Sequence, residues 1–243
     1  LAAVPVERIG ELLQALDAID PHAPIHLQLA ADSSDPKRCR ARYGVGPLAL
    51  LARRVGLNGR WGFAHLEALD AEEWMRLADS EAVGVVLAGE VEGRCAALAE
   101  PLRRLTRIAI GSDGGAVPEP GRWLRDLCQI EQASYGPGQA VDRAGLLCRV
   151  AVGGAQASGR AIGRLAPGFR ADLLHLDPHH PLFAGATPDD ILAIWLFATS
   201  RRAFVRDVMV GGVWQVRDGC HVAEERVFAG FRQARGRILG DLP

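Results

Sequence analysis

The sequence has no hydrophobic run approaching the ~18–20 residues that a membrane-spanning helix requires, and no secretory leader pattern at its start. It has no excess of charge. Its 28 basic and 29 acidic residues give a net charge of −1, which argues against a nucleic-acid or anionic-membrane surface. Its five cysteines, Cys39, Cys95, Cys128, Cys148 and Cys220, are scattered and never spaced as CxxC. That argues against a disulfide framework or a cysteine zinc site and favours reduced thiols in the cytoplasm. Internal repeats and low-complexity segments are also missing. The first residue is Leu1 rather than Met, so a fragment or an unusually started reading frame is expected.

What is present is core-forming material. Hydrophobic residues make up 49% of the 243 and charged residues 23%, the balance of an ordinary globular chain. In the first two-thirds, short apolar runs alternate with helical patterns. Strands are predicted over Pro24–Ala30, Trp61–His65, Ala82–Ala88 and Arg107–Gly111. Helices are predicted over Gly46–Val55, from about Ala71 to Asp79, and over Glu92–Leu105. Such alternation implies parallel βα units. Helices follow over Arg122–Ser134, Gln139–Val152 and Ala155–Arg160. After these come a Pro-Gly turn with a strand within Gly163–Asp177, a hairpin around Gly211-Gly212, and a helix over Glu224–Leu239. The expected organisation is a barrel-like part to residue 162, a small β-element with a hairpin and an intervening helix over 163–220, and a terminal helix over 221–243.

Asp113 is the most informative residue. An apolar strand runs into Gly111-Ser112-Asp113-Gly114-Gly115, and a carboxylate at the C-terminal end of a buried parallel strand is where α/β barrels place metal ligands and general bases. Ser-Asp-Gly-Gly is also good turn chemistry. His65 closes the second strand and reads either as a site residue or as a hydrogen-bonded core histidine. His26 shares a strand face with Gln28 and reads as a substrate contact or a packed polar residue. Glu90 follows the third strand, with structural and substrate-contact readings open. Glu67 and Asp70 suit the N-terminus of the next helix. His179 and His180 suit a solvated loop, and Arg201 and Arg202 read as solvated charges. Trp123, Trp195 and Trp214 read as core or interface anchors.

These residues resemble the amidohydrolase superfamily. The run Gly163 to Asp177 is similar to its late Gly-x-Leu-x-Pro-Gly-x-x-Ala-Asp-Leu signature. The hairpin Val205–Gly219 resembles the C-terminal strand pair of the formimidoylglutamate deiminases. The resemblance covers nearly the whole chain but only the second half of such an enzyme. Guanine and cytosine deaminases and chlorohydrolases share the late signature and are the alternatives within the superfamily; a non-catalytic scaffold or binding relative, or the remnant of a degraded gene, is the alternative outside catalysis. The resemblance implies an α/β fold: the second half of a TIM-type (β/α)8 barrel of the metal-dependent hydrolase kind, followed by strands of a small C-terminal β-domain. It implies a divalent metal, usually zinc, and hydrolysis of a formimino C–N bond of a small formiminoglutamate-like molecule in histidine degradation, with release of ammonia. Within it, Asp113 and His65 match metal-binding and catalytic positions, and Glu90 matches a loop glutamate.

Other positions depart from the pattern. The fifth-strand motif His-x-His-x-Ala-Glu-Gln reads His26-Leu27-Gln28-Leu29-Ala30-Ala31-Asp32 here. Gln28 stands at the ligand histidine, and Ala31 at the proton-shuttling glutamate. The first-strand His-x-His has no counterpart. Further expected histidines are replaced by Ala68 and Gly115. The expectation is therefore a catalytically impaired relative with weak or no metal binding. A half-barrel also leaves strand edges uncovered, so a homodimer or a longer parent chain is expected.

Overall fold

The computed structural model describes residues 8–29, 34–66, 69–87, 95–112, 120–198 and 200–240. The chain divides into two compact units, Leu1–Phe169 and Arg170–Pro243.

The first unit is built on four parallel strands in sequence order: β1 (Ile25–Gln28), β2 (Trp61–Ala64), β3 (Val83–Leu87) and β4 (Ile108–Gly111). Ile25 pairs with Trp61, Gly62 with Val83, and Gly84 with Ile108. Between and around the strands run α1 (Ile9–Ile19), α2 (Asp35–Tyr43), α3 (Pro47–Val55), α4 (Ala71–Ala78), α5 (Cys95–Arg104), α6 (Pro120–Gln132) and α7 (Arg143–Ser158). The four predicted strands are all present, within one or two residues at each end. Helix α2 has a strongly polar composition with no apolar stripe, which is why periodicity did not mark it.

Burial along the strands records their place in the sheet. β3 is buried at every position, and β1 alternates between half-buried and exposed. Strands covered on both faces are the mark of a parallel α/β sheet, so β3 is an interior strand and β1 an edge. Two polar devices fix the helical layer. Asp70 caps α4 by accepting from the Glu73 N–H, as its position before an apolar stripe predicts. The Glu73 carboxylate, fully buried, accepts from the Leu48 and Ala49 N–H groups at 2.7 and 3.1 Å and so caps the neighbouring α3.

Helix α7 corrects one prediction. Two helices were expected, broken near Gly153-Gly154; one continuous helix is found. It lies across the N-terminal ends of all four strands. Arg149 donates to the Leu105 carbonyl ahead of β4, and Gln156 donates to Gly59 and Glu81 ahead of β2 and β3. Gly159 touches Pro24 ahead of β1. Gly153 lets the helix approach β4 closely, because a Cβ there would stand 2.1 Å from the Ile108 carbonyl oxygen. The glycine is a packing requirement rather than a helix stop.

The second unit is an antiparallel sheet in the order β5 (Leu173–Leu176), β6 (Val205–Val210), β7 (Val213–Arg217) and β8 (Cys220–His221). The predicted hairpin turns at Gly211 and Gly212, both at positive φ. Helix α8 (Pro188–Phe197) opens with a capping box between Thr187 and Asp190, and α9 (Glu224–Leu239) closes the described chain. Arg201 is buried rather than solvated. Its guanidinium donates to the Leu196 and Ala198 carbonyls at the end of α8, satisfying acceptors the helix leaves open. His180 is likewise structural: its ring packs 4.2 Å from that of Phe204, and its Nδ1 accepts from the Leu182 N–H.

Asp207, buried on β6, accepts from His175 Nδ1 at 2.8 Å and from the Asp218 N–H at 3.1 Å. The His175 hydrogen bond, supported by the Asp218 backbone and the Arg217 guanidinium, holds its carboxyl below the usual range. A carboxyl depressed on folding contributes stability that is present above its unfolded pKa of about 3.9 and lost as pH falls through its folded value. Asp207→Asn is therefore expected to lower stability at neutral pH and to flatten the acid-side loss below about pH 4. Urea unfolding at a series of pH values checks this; parallel acid limbs for the two proteins would refute it.

Candidate functional site

The C-terminal ends of parallel strands are where this architecture presents chemistry. Gln28 closes β1 in register with Ala64, the last residue of β2, and His65 follows directly. The Leu29 N–H donates to the Ala64 carbonyl at 3.1 Å, which keeps the two strand ends together. Gln28 and His65 therefore lie at the same end of the sheet, on adjacent strands and one residue apart in register. His65 has φ +58°, the one non-glycine residue of the first unit with positive φ among the described residues. Left-handed backbone at a histidine is an uncommon conformation that a structure keeps where surrounding contacts demand it, and such residues cluster at sites. Both Gln28 and His65 have interaction partners.

β3 ends at Leu87 and β4 at Gly111, at that same end of the sheet. Glu90 and Asp113 lie outside the described residues, as do Ala31, Glu67, Ala68 and Gly115.

His26 is placed differently. Its Nε2 lies 2.8 Å from the Ala157 carbonyl near the end of α7. A carbonyl only accepts, so Nε2 carries the proton and donates. The imidazole thereby ties β1 to the helix beneath the sheet. Gly62 makes room for it: a Cβ there would come 3.0 Å from Nδ1. Sequence reading placed His26 and Gln28 on one strand face but did not find the tether, because its partner lies 131 residues away.

Among the described residues, the donors at the strand ends fall short of a catalytic zinc site. Such a site uses three protein ligands drawn from imidazoles, carboxylates and thiolates. The described strand ends offer one imidazole, His65, and one neutral amide, Gln28. No group of three or more His, Cys, Asp or Glu side chains is placed to hold a metal among the described residues. Cys128 offers no thiolate: burial first, and then the nearby Glu131 carboxylate, push its thiol up to about 11.

No family model matches the chain. It is 38% identical over 227 residues to the formimidoylglutamate deiminase of Pseudomonas aeruginosa, a match covering 89% of this chain and 50% of that protein. Among solved structures, an amidohydrolase from Brucella melitensis superimposes with a TM-score of 0.71 at 26% identity, over 98% of this chain and 53% of its own. An adenosine deaminase from Xanthomonas campestris, solved with bound zinc, gives 0.73 at 25%, over 96% and 54%. The chain spans about half the length of the curated relatives it matches. The four-stranded parallel sheet with its helices is thus part of a (β/α) barrel, and the antiparallel sheet is its C-terminal β-domain. Fold and sequence agree: the chain is similar to amidohydrolases and fits the C-terminal half of one, with a formimidoylglutamate deiminase among its curated relatives.

Proposed function

We propose that this chain derives from a formimidoylglutamate-type deiminase and, as it stands, no longer carries out metal-dependent hydrolysis. The observation that carries this reading is Gln28 at the end of β1, in register with Ala64 just before His65. A zinc ion in such a site makes hydroxide available at neutral pH by lowering the pKa of bound water to about 7. Holding it needs an imidazole where Gln28 offers an amide oxygen, a neutral and weaker donor for that ion. The sequence adds a second loss. Position 31, which the deiminase pattern reserves for a carboxylate that moves protons to the leaving nitrogen, is alanine. His65 and Asp113 are then retained members of a dismantled set, and Glu90 remains a candidate contact for a small, glutamate-like molecule. The balanced charge argues against a nucleic-acid surface, and no helix among the described residues is long and apolar enough to cross a membrane. The proposed setting is the cytoplasm.

Two measurements on the purified chain test this. Metal analysis is expected to find far less than one zinc per chain, and incubation with N-formimidoyl-L-glutamate is expected to release no ammonia above the uncatalysed rate. Gln28→His combined with Ala31→Glu should raise bound zinc several-fold. Stoichiometric zinc together with ammonia release by the unaltered chain would overturn the reading.

A further inference from the structure

We draw no further inference here: the strongest candidate, the side-chain cluster that His175, Asp207 and Arg217 form across β5, β6 and β7 of the antiparallel sheet, presents a half-exposed imidazole on a strand paired along one edge among the described residues, and nothing in the structure shows what covers it.

Discussion

Gly153→Ala is expected to destabilise the first unit by about 3 kcal/mol or more, at the upper end of what overpacking a tight interface costs, whereas Gly154→Ala, one residue away, is expected to stabilise it by about 0.5–1 kcal/mol. The contrast is set by what each new methyl meets. At 153 it would stand 2.1 Å from the Ile108 carbonyl oxygen and 2.6 Å from its amide nitrogen. These are backbone atoms of β4 and cannot rotate away, so α7 must lift from the strand. That helix also carries Arg149, Gln156 and the acceptor for His26, so its displacement loosens the floor of the whole sheet. At 154 nothing lies within 4 Å, and alanine only removes conformational freedom from the unfolded chain. Urea unfolding of the two variants side by side checks both signs. Equal effects would show that α7 does not sit on β4 as described.

Arg149→Met should cost about 3–5 kcal/mol, the range for breaking a buried ion pair by removing one partner. Glu131 is only 2% exposed, and its carboxylate pairs with the Arg149 guanidinium. Arg149 also donates to the Leu105 carbonyl at 2.9 Å and, less closely, to that of Arg103. Methionine keeps much of the volume but leaves a carboxylate uncompensated among Cys128, Ile130 and the α7 interface. The double variant Glu131→Leu with Arg149→Met should recover a large part of the loss, because replacing both partners removes the stranded charge. Chemical denaturation of the four proteins of the cycle gives the coupling. A double variant no better than Arg149→Met alone would show that the cost lies in the lost carbonyl contacts, not in the charge.

Much of the first unit was legible because parallel strands covered on both faces read as short apolar runs and the helices between them as periodic ones. Trp61–Ala64, Val83–Leu87 and the Gly211-Gly212 hairpin followed directly. Helix α2 did not, since a polar helix carries no stripe. The α7 region misled because Gly153-Gly154 has the composition of a break. Its real cause, the backbone of Ile108, lies 45 residues away in sequence and leaves no local mark. Arg201 was read as solvated for the same reason: a buried guanidinium and a surface one look alike until their carbonyl partners are known.

The candidate site divides in the same way. The amino-acid sequence by itself determined its chemistry, because an amide at 28 and a methyl at 31 are covalent facts that no packing can turn into an imidazole or a carboxylate. It also carried the family likeness, since strand-end and turn motifs are local. Only the tertiary structure decided position and use. Register set Gln28 opposite Ala64, just before His65, the fold placed His65 in left-handed backbone, and α7 drew the His26 ring to a carbonyl beneath the sheet. The physical reason is range: donor chemistry and strand pattern reside in a few consecutive residues, whereas neighbourhood depends on contacts between segments far apart along the chain.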